Sequence, residues 1–191
     1  MKEKTADRRI RKTKYALKKG LTELMSIKSF KEISVKELTE KVDLNRGTFY
    51  LHYKDIFDMV NQIEAEMFEE FQIVLNVYNP LNVTDYPLTL LEDIFKFLKE
   101  NEAICAALLS ANGDIAFIEK LKNIVRAKCF HDWNLLFSKN KSDNFEYYFN
   151  YMLSGCIGLF SEWLQSGLKE SPKEMAFITR SIIIQGINFI K

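Results

Sequence analysis

Apolar positions recur at helical spacing along almost the whole chain. Between 9 and 27, Ile10, Leu17, Leu21 and Leu24 share one stripe, and Lys12, Lys14, Lys18 and Lys19 lie outside it. This predicts a first amphipathic helix, preceded by about eight polar and charged residues expected to fray. Phe30 and Ile33 anchor a short linker over 28–33. Val35, Leu38 and Val42 then follow at i, i+3, i+7, behind the capping box Ser34-x-x-Glu37. In such a box the hydroxyl accepts from the backbone N–H at the third helical position and the carboxylate reaches back. Asp43 stands where the chain must turn, a place where Asp tolerates the left-handed conformation. Leu44 plugs the turn into the core, and Asn45 is a good N-cap for a second short helix from 46 to about 52. In that helix Phe49 and Tyr53 point inward at i, i+4. Gly47, Thr48 and Leu51 fall opposite, Tyr50 and His52 lie on the flanks, and Arg46 is at the tip.

Asp55, with Asp58 as reciprocal cap, opens a longer helix through Met59, Val60, Ile63, Met67, Phe71 and Val74 to about 78. The stretch 79–86 (NPLNVTDY) holds two turn signals. Further helices are expected over 87–100, with Leu91, Ile94, Phe95 and Leu98 inward, and over 103–111. Another covers 115–138, carrying Phe117, Leu121, Ile124, Val125, Phe130, Trp133 and Phe137. Two more cover 144–167 and the stretch from Pro172 to the end, proline suiting a first helical turn. The expectation is an all-α chain of about nine helices. A three-helix domain over 1–54 would precede a larger helical domain over 55–191, the connecting helix starting at 55. A three-helix domain of that size is marginal alone, because small domains bury little of their surface.

Composition adds an asymmetry. Hydrophobic residues make up 47% and charged residues 28%, a globular balance, and the net charge is only +1. Yet residues 1–54 hold 15 Lys+Arg against 7 Asp+Glu, and the remainder 12 against 19. A basic end on an acidic body is an electrostatic footprint for a polyanion. Cys105, Cys129 and Cys156 are odd in number and embedded in apolar segments, as buried free thiols of a reducing, cytoplasmic setting are. Cys129-x-His131 places two ligand types on roughly opposite sides of a helix, so no metal site is expected. No signal peptide and no apolar run of membrane-spanning length are read. With two His, no Ser-His-Asp arrangement and no Gly-rich phosphate loop, the chain does not read as an enzyme and no cofactor is expected.

The run D-L-N-R-G-T-F-Y-L-H-Y-K-D, preceded by F-K-E-I-S-V-K-E-L-T-E-K-V, resembles the DNA-binding domain of the TetR family of bacterial transcription regulators. Asp43 departs from the family's usual glycine. The run Y-M-L-S-G-C-I-G-L-F-S-E-W-L-Q-S-G-L-K-E-S-P-K-E-M also resembles the C-terminal region of one branch of that family. The resemblance implies a sequence-specific, ligand-responsive repressor of a double-stranded DNA operator. The alternative is a coactivator or protein-interaction module that keeps the fold and binds DNA weakly or not at all. Carried over residue by residue, Lys36, Arg46, Gly47 and Tyr50 would face bases, and Thr48, His52 and Lys54 would mostly hold phosphates. Arg46 could read guanine through its guanidinium fork.

Two apolar stripes near the end of the chain, Tyr151, Met152, Gly155, Leu159 and Trp163, then Ile178, Ile182, Gly186 and Phe189, either close the chain's own core or form a symmetric interface. The resemblance implies the latter, a homodimer through a four-helix bundle. Phe68, Phe71, Phe95, Phe117, Trp133, Tyr147, Tyr148 and Tyr151 are either core or the lining of an apolar pocket. A small apolar or aromatic effector is what the resemblance implies.

Overall fold

The computed structural model describes residues 2–79, 81, 86–109, 114–137 and 145–185. The described residues form nine α-helices and no strand: α1 Lys2–Met25, α2 Val35–Lys41, α3 Arg46–Tyr50, α4 Ile56–Asn76, α5 Tyr86–Glu100, α6 Glu102–Leu109, α7 Ile115–Phe137, α8 Phe145–Gln165 and α9 Pro172–Gln185. A single 3-10 turn, Phe30–Glu32, follows α1. The all-α expectation therefore holds. Helix α1 begins at Lys2, earlier than the apolar stripe by itself predicts. Lys, Glu, Arg and Ala dominate that stretch, and these straight-chain or small residues are good helix formers. Most of the 79–86 turn, together with residues 110–113 and 138–144, lies outside the described residues.

The chain divides into two compact units, one made of Met1–Glu66 with Ala103–Ile115 and the other of Met67–Glu102 with Ala116–Lys191. Helix α4 contributes its first half to one and its second half to the other, and α6 belongs to the first. The first unit is built on Leu17, Leu21 and Met25 of α1, Leu38 of α2, and Phe49 with Tyr53, all buried. Helices α1 to α3 by themselves would expose much of that surface. Met59, Val60 and Ile63 of α4 and Ile104, Ala107 and Leu108 of α6 add the missing apolar area. Each large side chain so buried contributes about 1.5–3 kcal/mol. Gly20 is buried on α1, and a Cβ there would run into the Val42 side chain and press on Leu38 at 3.2 Å. That glycine is what lets α1 lie close against α2.

The second unit is held by aromatic pairs between helices. Phe97 of α5 packs on Phe71 of α4 (5.4 Å between centroids), and Phe95 meets Trp163 of α8 edge-on (5.3 Å, 84°). Helix α5 thus uses two sides, which is why Phe97, outside the expected inward stripe, is buried. Phe68 stacks on Phe117 at 5.0 Å. Helices α7 and α8 are joined by Arg126 and Glu146 (2.6 Å) and by Phe149 and Leu153, against which Val125, Cys129, Met152 and Ile157 pack. Phe130, expected inward on α7, is exposed instead: it sits about 100° round the helix from Cys129. Between α8 and α9 the Leu168 amide donates to the Trp163 carbonyl (2.9 Å), with Gly167 at φ 82° and Leu168 at φ 53°. Ser171 and Glu174 then cap α9 reciprocally, at 2.8 and 3.3 Å.

Candidate nucleic-acid interface

Helices α2 and α3 owe their form to caps. The Ser34 hydroxyl accepts from the Glu37 amide at 3.2 Å. The Glu37 carboxylate spends itself mainly elsewhere: Lys28 Nζ donates to it at 2.8 Å and chiefly holds it below the ordinary carboxylate range, the Ser34 amide adding least. The box therefore ties α2 to the linker before it. At the other end of α2, the Leu44 amide donates to Thr39 O (2.9 Å) and the Asp43 amide to Glu40 O (3.3 Å). These are the two bonds of a Schellman motif, which needs a left-handed residue between them. Asp43 supplies it at φ 52°.

Asn45 then caps α3, its Oδ1 accepting from the Gly47 amide at 2.8 Å. Helix α3 is five residues long, shorter than the periodicity suggested. Its end tightens as the His52 amide turns back to Phe49 O (2.9 Å). Phe49 and Tyr53 are buried beneath it, and burial pushes the Tyr53 hydroxyl up to about 12. Just beyond, Asp55 accepts from the Asp58 amide, and Asp58 reaches past the expected position to accept from the Lys54 amide, both at 2.8 Å. The Lys54 amide first, then Gln62, hold the Asp58 carboxyl below its usual range. The backbone of Lys54 is fixed by this bond, and its side chain is left outside.

On this scaffold Arg46, Gly47, Tyr50 and Leu51 form the exposed face of α3 at i, i+1, i+4 and i+5, opposite Phe49. Lys36 and Lys54 are exposed, and Thr48 and His52 half-buried. The cations divide into two sets. Lys28 pairs with Glu37, Lys41 with Glu23 at 2.9 Å, and Lys14 approaches Glu66 at 3.8 Å while lying over the Tyr53 ring. Lys36 has only a loose contact to Glu40, 3.8 Å, across an exposed surface where such pairs contribute little. Arg46 and Lys54 have no carboxylate within ion-pair distance among the described residues. The first set ties helices together; the second is free for an anionic partner. Leu51, which the periodicity places on the outward face with Gly47 and Thr48 but to which no contact is assigned, is 79% exposed.

Residues 85–185, just over half of the chain, match the family described as the transcriptional regulator C-terminal region of the TetR type. The chain belongs to the TetR family of transcriptional regulators. No curated protein matches it in sequence. Solved structures of similar fold include a TetR transcriptional regulator from Streptococcus agalactiae (TM-score 0.63, 19% identity, 95% of this chain and 98% of that one). The dihydroxyacetone kinase operon activator DhaS is also similar (0.58, 16%, 93% and 97%). So is the transcriptional regulator FadR from Bacillus subtilis in complex with stearoyl-CoA (0.64, 12%, 91% and 98%). Membership makes this a DNA-binding transcription regulator.

In the C-terminal unit of this TetR-family protein, the aromatic residues separate into two groups. Phe71, Phe95 and Phe117 are buried and Phe68 half-buried, engaged in the pairs described above. Tyr147 and Tyr151 stand instead on the solvent face of α8, 79% and 81% exposed, apart from those pairs, and Tyr148 is also exposed. The Trp133 side chain lies outside the described residues. On the same α8 face a Cβ at Gly155 or Gly158 would meet nothing within 4 Å. Met152 and Leu159 lie at its margin, half-buried, and Trp163, expected on one stripe with Gly155, is buried. On α9, Ile178 and Ile182 are half-buried, and the exposed apolar residues are Phe177 and Ile184. Gly186 and Phe189 fall outside the described residues. Among the described residues no helix is long and apolar enough to cross a membrane.

Proposed function

We propose that this regulator is a homodimeric, ligand-responsive repressor that sets α3 in the major groove of an operator. The observation that carries the reading is the pair of exposed cations at the two ends of α3, Arg46 and Lys54, which lack the carboxylate partners that Lys14, Lys28 and Lys41 of the same unit have. Arg46, Gly47, Tyr50 and Lys36 are assigned to base edges, and Thr48, His52 and Lys54 to phosphates. Phosphate neutralisation supplies affinity, and base edges supply choice of sequence. The half-buried rim of α8 and α9 (Met152, Leu159, Ile178, Ile182) with the open Gly155 is assigned to the dimer. An apolar effector suits the Phe68, Phe71, Phe95 and Phe117 group, and FadR from Bacillus subtilis, with its stearoyl-CoA, is of similar fold. Helix α4 shares its length between both units and is the natural carrier of the signal.

The test is fluorescence anisotropy with duplexes enriched from a random pool by the purified protein, against unselected duplex. A repressor of this design binds selected sites at least about a thousandfold more tightly than random ones at matched salt. A second reading, a coactivator without direct DNA contact, draws on the activator DhaS, also of similar fold. It predicts equal and weak binding to both pools.

A further inference from the structure

The first turns of α1 carry charge that the fold leaves unmatched. Residues 8–22 hold seven Lys or Arg and no Asp or Glu. The inner side of this stretch is spent on the core, where Leu17 and Leu21 are buried. On the outer side Arg8, Arg11, Lys12 and Tyr15 stand at i, i+3, i+4 and i+7, which is one face of a helix. All four are exposed, Tyr15 at 70%. Among the described residues no carboxylate lies within ion-pair distance of the three cations. Elsewhere in the chain, cations at such spacing are matched by acids: Lys36 with Glu40, Lys96 with Glu92 and Lys122 with Glu119. Arg8 instead meets Arg11 and Lys12 one turn on, and like charges at that spacing repel. A polyanion removes this cost by neutralising the cations, and a tyrosine hydroxyl is itself a donor to phosphate.

Two contacts fix where this face lies within the N-terminal unit. Gly20 sits against Val42, at the end of α2 from which the turn leads into α3. Lys14, six residues earlier, has its Nζ 5.8 Å from the centre of the Tyr53 ring, just past the end of α3. The stretch from Gly20 back to Lys14 therefore spans α3 from its start to its end. Arg11 stands three residues beyond Lys14 and Arg8 six, which carries the helix about 9 Å further at 1.5 Å per residue. The basic turns of α1 thus overhang the end of α3 at which Lys54 stands.

We infer that Arg8, Arg11, Lys12 and Tyr15 form a second phosphate-binding site, which takes the backbone of the same duplex beyond the phosphates held by Lys54. The inference rests on the reading of α3 as the recognition helix. Contacts to phosphate carry no direct sequence information, so this site adds affinity without choice of sequence.

The full-length protein, footprinted with hydroxyl radicals on a duplex selected from a random pool, should protect a stretch of backbone in each half-site separate from that around the bases read by α3. This measurement needs no variant to fold. The triple variant Arg8→Gln, Arg11→Gln, Lys12→Gln keeps good helix formers at exposed positions and leaves Arg46 and Lys54 in place. It should lose the separate stretch alone and keep protection over the recognised bases. At low salt it should bind selected and random duplexes alike roughly tenfold or more weakly, because the lost term is independent of sequence. With three cations in each subunit of the proposed dimer, the log–log salt slope should flatten by about 2 to 5, at about 0.9 per phosphate contact. Tyr15→Phe should weaken both duplexes to a smaller extent. Selection of no duplex at all would overturn this site together with the recognition helix. Selective binding with no separate protected stretch, or a triple variant that keeps that stretch, would overturn the site alone. A flattened slope with the whole footprint retained would mean diffuse attraction, and loss of the whole footprint would place these residues in the fold; each overturns the site.

Discussion

Two glycines show how differently the units are finished. Gly20 is closed in: Val42 and Leu38 of α2 occupy the space a side chain would need. Gly155 is open, with nothing within 4 Å of where a Cβ would stand, and exposed tyrosines lie along its helix face. In the N-terminal unit the small residue serves contact already made within the chain. In the C-terminal unit it leaves room that the chain does not use. The polar groups differ in the same sense. Caps and ion pairs commit several of the carboxylates around α2 and α3, and among the described residues Arg46 and Lys54, with the loosely paired Lys36, stand beside α3 without a close carboxylate. A unit with its own contacts satisfied can present a fixed charged surface. A unit with an open face of tyrosine and glycine leaves the room that the proposed dimer would use.

The largest expected effect is at the closed glycine. Gly20→Leu should cost about 4 kcal/mol or more, because the added side chain forces α1 away from α2. That is much of a typical domain's total stability. Thermal unfolding followed by circular dichroism should show loss of the cooperative transition of the N-terminal unit. A normal melt would mean that α1 and α2 separate at little cost. Gly155→Leu is the matched experiment. Within one chain it should be neutral or slightly favourable, because leucine is a good helix former while glycine is about 0.8–1 kcal/mol less favourable than alanine. In a dimer built on this face it should weaken association about a hundredfold, near 3 kcal/mol. Sedimentation should then show monomers of unchanged helix content, whereas an intact dimer would move the interface elsewhere.

What could be read from the chain alone follows from how far apart the interacting residues lie. Ser34, Asn45 and Asp55 cap helices through bonds to residues two or three positions away, and Asp43 answers a local need for a left-handed residue. Those features were legible. Gly20 facing Val42, and α6 joining the N-terminal unit from beyond residue 100, depend on tertiary placement that periodicity does not carry. Periodicity proposed one stripe through Gly155, Leu159 and Trp163 without saying which edge faces in. The structure buries Trp163 and exposes Gly155.

The free cations come next in size. Arg46→Ala should cost about 1–3 kcal/mol at a selected operator and relax base preference at one position. Lys54→Ala should weaken selected and random duplexes alike. With one lysine per subunit of a dimer, the log–log salt slope should flatten by roughly 2, at about 0.9 per phosphate contact. Lys41→Ala is the contrast, because Lys41 is engaged with Glu23: it should disturb stability more than the salt slope. If both lysines change the slope equally, the division into structural and free cations fails.

The smallest effect concerns acid. Glu23, Glu37 and Asp58 of the N-terminal unit are all held below their ordinary values, by Lys41, by Lys28, and by the Lys54 amide with Gln62, respectively. A carboxyl lowered in the folded state stabilises that state above its unfolded value, and the contribution is lost as pH falls through the folded value. With ordinary values of 4.5 for Glu and 3.8 for Asp, the loss begins just below those points and continues downward. All three groups are solvent-exposed, so each contribution is small and screened by salt. Asp58→Ala removes the acceptor for both the Lys54 amide and Gln62. Its melting temperature should fall a few degrees below that of the unmutated protein at pH 7, and the gap should narrow steadily between pH 4 and pH 2. A gap that stays constant over that range would mean that the hydrogen bonds at the head of α4, not the charge of Asp58, hold the Lys54 backbone. The charge would then have no part in presenting Lys54 beside α3.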